Sequence, residues 1–185
     1  MQTAEALVFT ANDYLEWEAS QEQKHEFFNG EVFAMGGARQ EHVVVSGNLF
    51  ASLKQHLRNA PCRAYISDMK LRVEHLDAFY YPDVMVSCDK SDHKADQFLS
   101  NPSIIIEVLS DSTEAYDRGA KFAAYRKIEN LKEYFLIDIT ARRVECFRRT
   151  SDNKWLLQIY ENGQSCEFNS LEFLVDLADI FEDIE

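Results

Sequence analysis

A glutamate lies inside an apolar stretch of the chain, residues 103–109, which reads SIIIEVL. A short apolar run of this kind is typical of a strand that is buried on both faces of its sheet. Because side chains alternate along a strand, Glu107 shares its face with Ile105 and Leu109. An unpaired buried carboxylate is costly, so we expect Glu107 to be ion-paired, protonated or bound to a metal ion. The alternatives to a functional role are a glutamate at a frayed strand end and one that is ion-paired across the sheet.

A second acidic residue, Asp83, follows Pro82 inside an otherwise apolar strand predicted over residues 79–87. Proline within a strand indicates an edge, a bulge or a strand start, where an acid can turn toward the mouth of the sheet. Taken alone, Asp83 fits an ordinary aspartate at a bulge equally well. Two carboxylates about 4 Å apart repel by about 4 kcal/mol at an effective dielectric of about 20. Such a pair therefore indicates a hard cation such as Mg²⁺ between the two groups.

Lys121 is the third residue of interest, on a helix predicted over residues 116–128. It lies one turn after Asp117 and one turn before Tyr125, so the three share a helix face. A lysine beside a metal ion could orient the attacking water and neutralise charge that develops on a phosphate. The alternative is a surface pair with Asp117, worth a few tenths of a kcal/mol. Tyr125 is expected to pack rather than take part in chemistry.

Apolar periodicity and turn residues divide the rest of the chain into helices and strands. Thr10 and Asp13 resemble a capping box ahead of a helix over residues 12–20, and Asn29-Gly30 indicates a two-residue hairpin turn. The remaining predictions are a helix over 42–58, strands over 62–67, 69–74, 133–138, 142–149 and 154–160, and a final acidic helix that begins near Ser170. Together these elements predict an α/β protein with helices on the faces of a mixed sheet.

The length of 185 residues suits one domain, predicted to span residues 1–185. No apolar run approaches the roughly 18 residues that a membrane span needs, and the N-terminus lacks the pattern of a signal peptide. We therefore expect a cytoplasmic protein without a membrane partner. The spacing of the cysteines matches no zinc-ligand pair, so we expect four reduced core residues: Cys62, Cys88, Cys146 and Cys166.

The net charge of −13 argues against a nucleic-acid partner, but the charges are unevenly distributed. Residues 155–185 hold eight acidic residues and no lysine or arginine, whereas residues 118–154 hold ten basic and five acidic residues. A locally basic segment is therefore available to phosphates, although solvated surface explains both segments equally well.

Pro82-Asp83 and Glu107 resemble the first two parts of the signature of the PD-(D/E)XK nuclease superfamily, which includes many restriction endonucleases. The usual lysine position, two residues after the second acid, holds Leu109. Longer stretches are similar to a narrower bacterial family in that superfamily, the Uma-type putative restriction endonucleases, over about residues 10–160. These stretches are EFFNGEVFAMGGA, SDMKLRV, YYPDVMV, PSIIIEVLSDSTEAYDRGAKFAAYRK and LKEYFLID.

The resemblance implies a restriction-endonuclease-like αβββαβ core with a central four-stranded mixed sheet. An N-terminal helix and hairpin would precede this core, and antiparallel strands would follow it. In relatives of this kind the lysine lies on the following helix, where this chain has Lys121. Asp83 and Glu107, together with the Val108 carbonyl, would bind Mg²⁺ or Mn²⁺, and Asp117 would position Lys121.

The resemblance also implicates three residues of the N-terminal motif, which would lie near the metal: Glu26, Glu31 and His42. The alternatives are hairpin surface charge for the two glutamates and packing at a helix start for His42. The activity implied is metal-dependent endonuclease cleavage of a phosphodiester bond, with DNA as the expected partner and no organic cofactor. Basic residues expected to contact phosphates are Lys70, Arg72, Arg118, Arg126, Lys127 and Lys132.

A rival hypothesis is a nuclease-fold module that serves in binding or assembly and no longer cleaves. The net charge favours this rival, as does the lack of a fused DNA-reading domain in the sequence. A homodimer is expected under the nuclease hypothesis, because cutting both strands of a duplex needs two sites.

Overall fold

Local sequence signals shape the N-terminal part of the fold. The computed structural model describes residues 9–161 and 163–184. Helix α1 (Ala11–Glu18) begins at the predicted capping box, where the Thr10 hydroxyl accepts from the Asp13 amide and the Asp13 carboxylate accepts from the Thr10 amide. The predicted hairpin turn is also confirmed, since Asn29 and Gly30 both have positive φ, +47° and +89°.

The remaining elements either form a central sheet or pack on one of its two faces. The other helices are α2 (Gln40–His56), α3 (Glu114–Tyr116), α4 (Phe122–Tyr125) and α5 (Leu177–Ile180). A π-helical turn, Asp117–Lys121, joins α3 to α4. The strands are β1 (His25–Phe28), β2 (Glu31–Ala34), β3 (Arg63–Ile66), β4 (Lys70–Val73), β5 (Ala78–Tyr80), β6 (Val84–Ser87), β7 (Phe98–Leu99), β8 (Ile104–Val108), β9 (Glu133–Asp138), β10 (Arg143–Arg149), β11 (Trp155–Tyr160), β12 (Ser165–Phe168) and β13 (Phe173–Asp176).

The central sheet has six strands in the order β11-β10-β9-β8-β6-β3. Only β8 and β9 run parallel, and the other neighbours in this sheet are antiparallel. The four strands β3, β6, β8 and β9 form the mixed sheet of the predicted core, and β10 with β11 forms the predicted antiparallel pair. The fold class expected from the sequence is therefore confirmed.

A second sheet, in the order β2-β1-β5-β4-β7, packs over one face of the central sheet. Buried residues of both sheets and of α4 form one core there, including Leu71, Tyr80, Ile105 and Tyr125. On the opposite face, α2, α5 and the β12-β13 hairpin enclose the other large core around Leu49. The central sheet is thus buried on both faces, as its apolar strands require.

The prediction of one continuous strand over residues 79–87 is wrong. The structure has two strands there, and they belong to two different sheets. Strand β5 ends before Tyr81 and joins the second sheet, whereas β6 begins after Asp83 and joins the central sheet. Pro82 lies at the break, because proline lacks the N–H that a continuous ladder would use. The break leaves Asp83 at the start of a central strand.

The prediction of a final acidic helix that begins near Ser170 is also wrong. Residues 169–171 form a single 3-10 turn that leads into β13, and the helix that follows, α5, has four residues. Strand β13 pairs with β12, with Val175 opposite Cys166 in the core. Tertiary packing of Phe173 and Val175 therefore overrides the capping signal.

The prediction of four reduced cysteines is wrong for one pair, since Cys62 and Cys88 form a disulfide. They continue the antiparallel register of β3 and β6, in which Arg63 lies opposite Ser87, so their Cβ atoms meet across the sheet. Cys146 and Cys166 are buried free thiols, as expected. No helix in the described part of the chain is long and apolar enough to cross a membrane.

Glu133 should be a main attachment point for the C-terminal hairpin. This buried carboxylate accepts from Arg148 Nε at 3.0 Å and from the amides of Asn169 and Ser170 at 3.0 and 2.9 Å. Glu133→Ala leaves these donors without an acceptor and should lower the free energy of unfolding by about 3 kcal/mol. Urea denaturation measures the change. The exposed-site control Glu129→Ala should stay within about 0.5 kcal/mol of wild type, and an equal effect of both variants would contradict this role.

Candidate active site

Two neighbouring strands of the central sheet bring Asp83 and Glu107 together. Val84 lies opposite Ile106 in the antiparallel register of β6 and β8, so Asp83 lies opposite Glu107. The Asp83 amide donates to Glu107 Oε2 at 3.4 Å, and the Val108 amide donates to Asp83 Oδ2 at 2.8 Å. The break at Pro82 therefore positions one carboxylate against the other.

Glu107 is buried, with 3% of its surface exposed, on the same face as Ile105 and Leu109. Its Oε1 atom accepts from the hydroxyl of Tyr125 at 2.7 Å and from the ammonium of Lys121 at 3.2 Å. The glutamate thus has charged and neutral donors in a core that is otherwise apolar, which offsets the cost of its burial.

Lys121 lies at the centre of the buried charges. Its Nζ atom is 3.1 Å from Glu26 Oε1, 3.2 Å from Glu107 Oε1 and 3.4 Å from Asp117 Oδ1. Glu26 comes from β1 of the second sheet, and Asp117 and Lys121 begin and end the π-helical turn. Such turns occur frequently at functional sites. Three elements that are distant in sequence therefore supply the carboxylates around one ammonium.

His42 reaches the same site from the first turn of α2. Its Nε2 atom lies 2.8 Å from Asp83 Oδ1, the carboxylate oxygen that the Val108 amide leaves free. Burial alone lowers the pKa of His42, but the hydrogen bond to Asp83 and the charge of that carboxylate raise it above its usual value. The imidazole therefore holds Asp83 in place and adds positive charge when protonated.

Four carboxylates share this small volume with one ammonium: Glu26, Asp83, Glu107 and Asp117. Burial raises the pKa of Glu107 to about 8; the Lys121 charge opposes this shift and the charges of Asp117 and Asp83 add to it. Burial also raises the pKa of Asp117, against the effect of Lys121. Burial would lower the pKa of Lys121, but the carboxylates around it raise that pKa well above its usual value. The site thus carries more negative charge than Lys121 can balance.

The donor set fits a hard divalent cation. Mg²⁺ takes oxygen ligands and commonly uses one or two carboxylates with several waters, and Asp83 and Glu107 supply two. In a strand the carbonyl of a residue leaves on the same side as its amide, so the Val108 carbonyl faces the Asp83 side. The buried Asp117 Oδ1 atom accepts no hydrogen bond, and the Lys121 ammonium 3.4 Å away is shared with Glu26 and Glu107, so its negative charge is only partly compensated.

Within residues 9–161 and 163–184, no group of three or more acidic, histidine or cysteine side chains is arranged so that it could hold a metal ion by itself. Glu26 and Asp117 turn toward the Lys121 ammonium instead. A two-carboxylate site completed by waters needs no third acidic side chain, so this arrangement remains compatible with Mg²⁺ or Mn²⁺.

Two tyrosines contribute to the site in ways that the sequence analysis missed. Tyr125 was expected only to pack, yet its hydroxyl donates to Glu107; its position one turn after Lys121 was the available signal. Tyr81 donates its amide to Glu26 Oε1 at 3.4 Å and its hydroxyl to Glu18 Oε1 at 2.8 Å. No pattern in the sequence links Glu18 to this site, because the link runs through the second sheet.

Several predicted residues lie away from the carboxylates. Glu31 is exposed beside the hairpin turn. Lys70 and Arg72 alternate with the core residues of β4, so they lie on the face of the second sheet opposite Glu26. Arg118 is held by Glu114 at 2.7 Å and Glu145 at 2.6 Å.

The other three predicted phosphate contacts follow α4, and one of them, Lys132, is exposed directly before β9. Arg126 is exposed over the Phe122 ring, and Lys127 is exposed in the turn after α4. The structure therefore does not gather the predicted phosphate contacts around the site.

The protonation of Glu107 should be visible in the pH dependence of stability without divalent cations. Folded Glu107 holds its proton to a pH of about 8, whereas the unfolded glutamate releases it near 4.5. The folded state therefore binds more protons between these values, and stability should fall as pH rises, with a slope approaching about 1.4 kcal/mol per pH unit. Urea denaturation in EDTA from pH 5 to 8 measures this slope.

Glu107→Gln is the matched variant, because it removes the titrating group and keeps the shape of the side chain. Asp117 titrates with the same sign in both proteins, so only the contribution of Glu107 should disappear. Identical slopes for wild type and Glu107→Gln would show that Glu107 is already ionised at pH 5.

Comparisons with known proteins agree with this fold. The family model described as Uma2, putative restriction endonuclease, matches residues 11–178. The uncharacterised protein slr1290 of Synechocystis sp. is 38% identical over 167 residues, 89% of this chain and 88% of that protein. A second uncharacterised Synechocystis protein, sll1609, is 36% identical over 175 residues, 93% of this chain and 99% of that protein.

A solved structure shares the fold. The crystal structure of a putative nuclease belonging to DUF820 from Anabaena variabilis superimposes with a TM-score of 0.77 at 16% identity, and the match covers 94% of this chain and 97% of that one. With the family model matching nearly the whole length, this chain belongs to the Uma2 family of putative restriction endonucleases.

Proposed function

We propose that this protein is a metal-dependent endonuclease that hydrolyses phosphodiester bonds of a nucleic acid, with DNA as the expected substrate. The observation that carries the proposal is the pair of facing carboxylates, Asp83 and Glu107, beside the buried ammonium of Lys121. The family description and the fold shared with a putative nuclease support the same reaction class.

Asp83, Glu107 and the Val108 carbonyl are the groups that would hold Mg²⁺ or Mn²⁺. When bound, such an ion lowers the pKa of a coordinated water and offsets phosphate charge. His42 and the Val108 amide fix the orientation of Asp83, and Tyr125 fixes that of Glu107. Both carboxylates are therefore held in position before any substrate arrives, which lowers the cost of organising the site.

Lys121 would supply positive charge where the phosphate becomes more negative during the reaction. Its ammonium stays protonated because Glu26, Glu107 and Asp117 surround it. A fixed cation in a site that excludes water stabilises developing charge without reorganising at the moment of reaction. Asp117 and Glu26 act as positioning residues for this lysine.

Cleavage of nucleic acid in the presence of Mg²⁺ or Mn²⁺ tests the proposal. Glu107→Gln should abolish cleavage, because an amide is a poor ligand for a hard cation. Lys121→Ala should lower the rate about 10²–10³-fold, the usual cost of losing one group that stabilises transition-state charge. Gel assays on single-stranded, duplex and branched DNA and on RNA measure these rates.

Glu31→Gln is the control for this assay, since it removes an acidic residue of the same hairpin that lies outside the carboxylate cluster. It should cleave like wild type. If purified wild-type protein cleaves none of these substrates with either metal, the catalytic proposal fails.

The second candidate function is a binding or assembly module that has kept the fold without cleavage. The net charge of −13 favours it, as does the placement of the basic residues. Arg118 is neutralised by Glu114 and Glu145, and Arg72 lies on the face opposite Glu26. A homodimer with two cutting sites belongs to the nuclease proposal alone.

Titration calorimetry with Mn²⁺ separates the two functions. A nuclease should bind Mn²⁺, and Asp83→Ala should abolish that binding because it removes one of two carboxylate ligands. Glu31→Ala should leave the affinity unchanged. Absence of Mn²⁺ binding to folded wild-type protein would favour the module and contradict the metal site.

A further inference from the structure

Three exposed aromatic side chains flank the candidate active site. Phe33 is the direct cross-strand partner of Glu26 in the β1-β2 hairpin, and 48% of its surface is exposed. Phe28 lies on the same hairpin face and is 40% exposed, and Tyr116 on α3 is 39% exposed. We call Phe28, Phe33 and Tyr116 the aromatic rim.

The aromatic rim lies close to the reacting groups. Cross-strand partners have Cβ atoms about 5 Å apart, and the Glu26 carboxylate lies 3.1 Å from Lys121 Nζ. The Tyr116 ring centre is 5.7 Å from the same Nζ atom. In the part of the chain that the structure describes, none of the three rings stacks on another aromatic side chain. The Phe28 and Phe33 rings are therefore available to a ligand at the site, whereas one face of Tyr116 already has the Lys121 ammonium over it.

Lys121 and Arg118, the cations beside the carboxylates, are committed to acidic residues. Lys121 is shared by three carboxylates and Arg118 is held by Glu114 and Glu145, whereas Arg39 makes only an exposed surface pair with Asp111 at 3.6 Å. Binding of an intact duplex depends mainly on free cations, because the phosphates lie outside and the bases are stacked inside. Among the residues that the structure describes, the cations beside the carboxylates are ion-paired while the aromatic rings are exposed, which disfavours an intact duplex.

Unpaired nucleotides match what the site offers. Every base has an exposed π-face when it is not stacked in a duplex, and proteins bind single strands by stacking bases on aromatic side chains. We infer that the site takes unpaired nucleotides, with bases stacked on the aromatic rim and the scissile phosphate directed to Lys121. This inference rests on the proposed nuclease function and specifies its substrate class.

A single-stranded substrate changes the expected oligomeric state. An unpaired strand needs one site, so cleavage of it does not require the homodimer that a duplex would. The rim could instead serve as a contact surface for a second copy of this chain, and the experiment below includes that outcome.

Binding to the full chain in EDTA tests the inference without cleavage. The probes are a fluorescent single-stranded DNA, the RNA of the same sequence, the matching DNA duplex, and a single strand with a run of abasic sites. Wild type should bind the two single strands at least tenfold more tightly than the duplex or the abasic strand, which keeps the phosphates and lacks the bases.

Variants of the rim identify the stacking residues. Phe33→Ala should weaken single-strand binding roughly 5- to 150-fold, the range measured for the loss of one base-stacking side chain. Phe33→Trp and Tyr116→Phe keep an aromatic ring and should retain the affinity. Leu174→Ala is the control, because Leu174 is 63% exposed on β13, an element outside this site. Fluorescence anisotropy measures each affinity.

Several outcomes overturn the inference. These are tighter binding of the duplex, equal binding of the abasic strand, or no effect of Phe33→Ala. Loss of a dimer in sedimentation by Phe33→Ala, with unchanged nucleotide affinity, would assign the rim to self-association instead. If wild type cleaves duplex and single strands equally and Phe33→Ala leaves the affinity for single strands unchanged, the inference fails while the nuclease proposal stands. If nothing is cleaved but the binding pattern holds, the nuclease proposal fails alone.

Discussion

The buried ion cluster around Lys121 is the interaction on which the rest of the site depends. A buried ammonium needs opposite charge and hydrogen-bond acceptors, and here three carboxylates from two sheets and one helical turn supply them. Because one ammonium cannot balance them together with Asp83, the cluster keeps a surplus of negative charge. That surplus makes the arrangement suited to a divalent cation, and it adds to the effect of burial, which is the main reason that the pKa values of Glu107 and Asp117 are raised.

The architecture of two packed sheets allows this cluster to form. Pro82 interrupts the ladder, so β5 stays with the second sheet and β6 enters the central one. Glu26 arrives from the second sheet, and Asp83 and Glu107 arrive from the central one. The charged groups therefore meet where the two sheets and the helical segment converge, and the surrounding aliphatic core restricts water and strengthens their interactions.

Sequence patterns were reliable where a single element decides the outcome. The capping box at Thr10 and the Asn29-Gly30 turn formed as predicted, because each depends on residues within a few positions. The environment of Glu107 was also predictable, since alternation in one strand settles which face it shares. The family resemblance identified Lys121 as the candidate catalytic lysine. The short signature alone would have pointed to position 109, where this chain has Leu109. The helix expected at Ser170 failed because packing of β13 onto the core outweighed a local capping signal.

The sequence by itself determined that the Glu107 carboxylate would be buried and in need of a partner, because the apolar residues around it show that it lies in a buried strand. Only the tertiary structure decided which partners it has: Tyr125 and Lys121 from the helical segment and the amide of Asp83 from the neighbouring strand. It likewise decided the disulfide between Cys62 and Cys88 and the place of Phe33 beside Glu26, since both follow from strand register. Register is set by which strands pair, and that choice depends on burial across the whole fold rather than on any one segment.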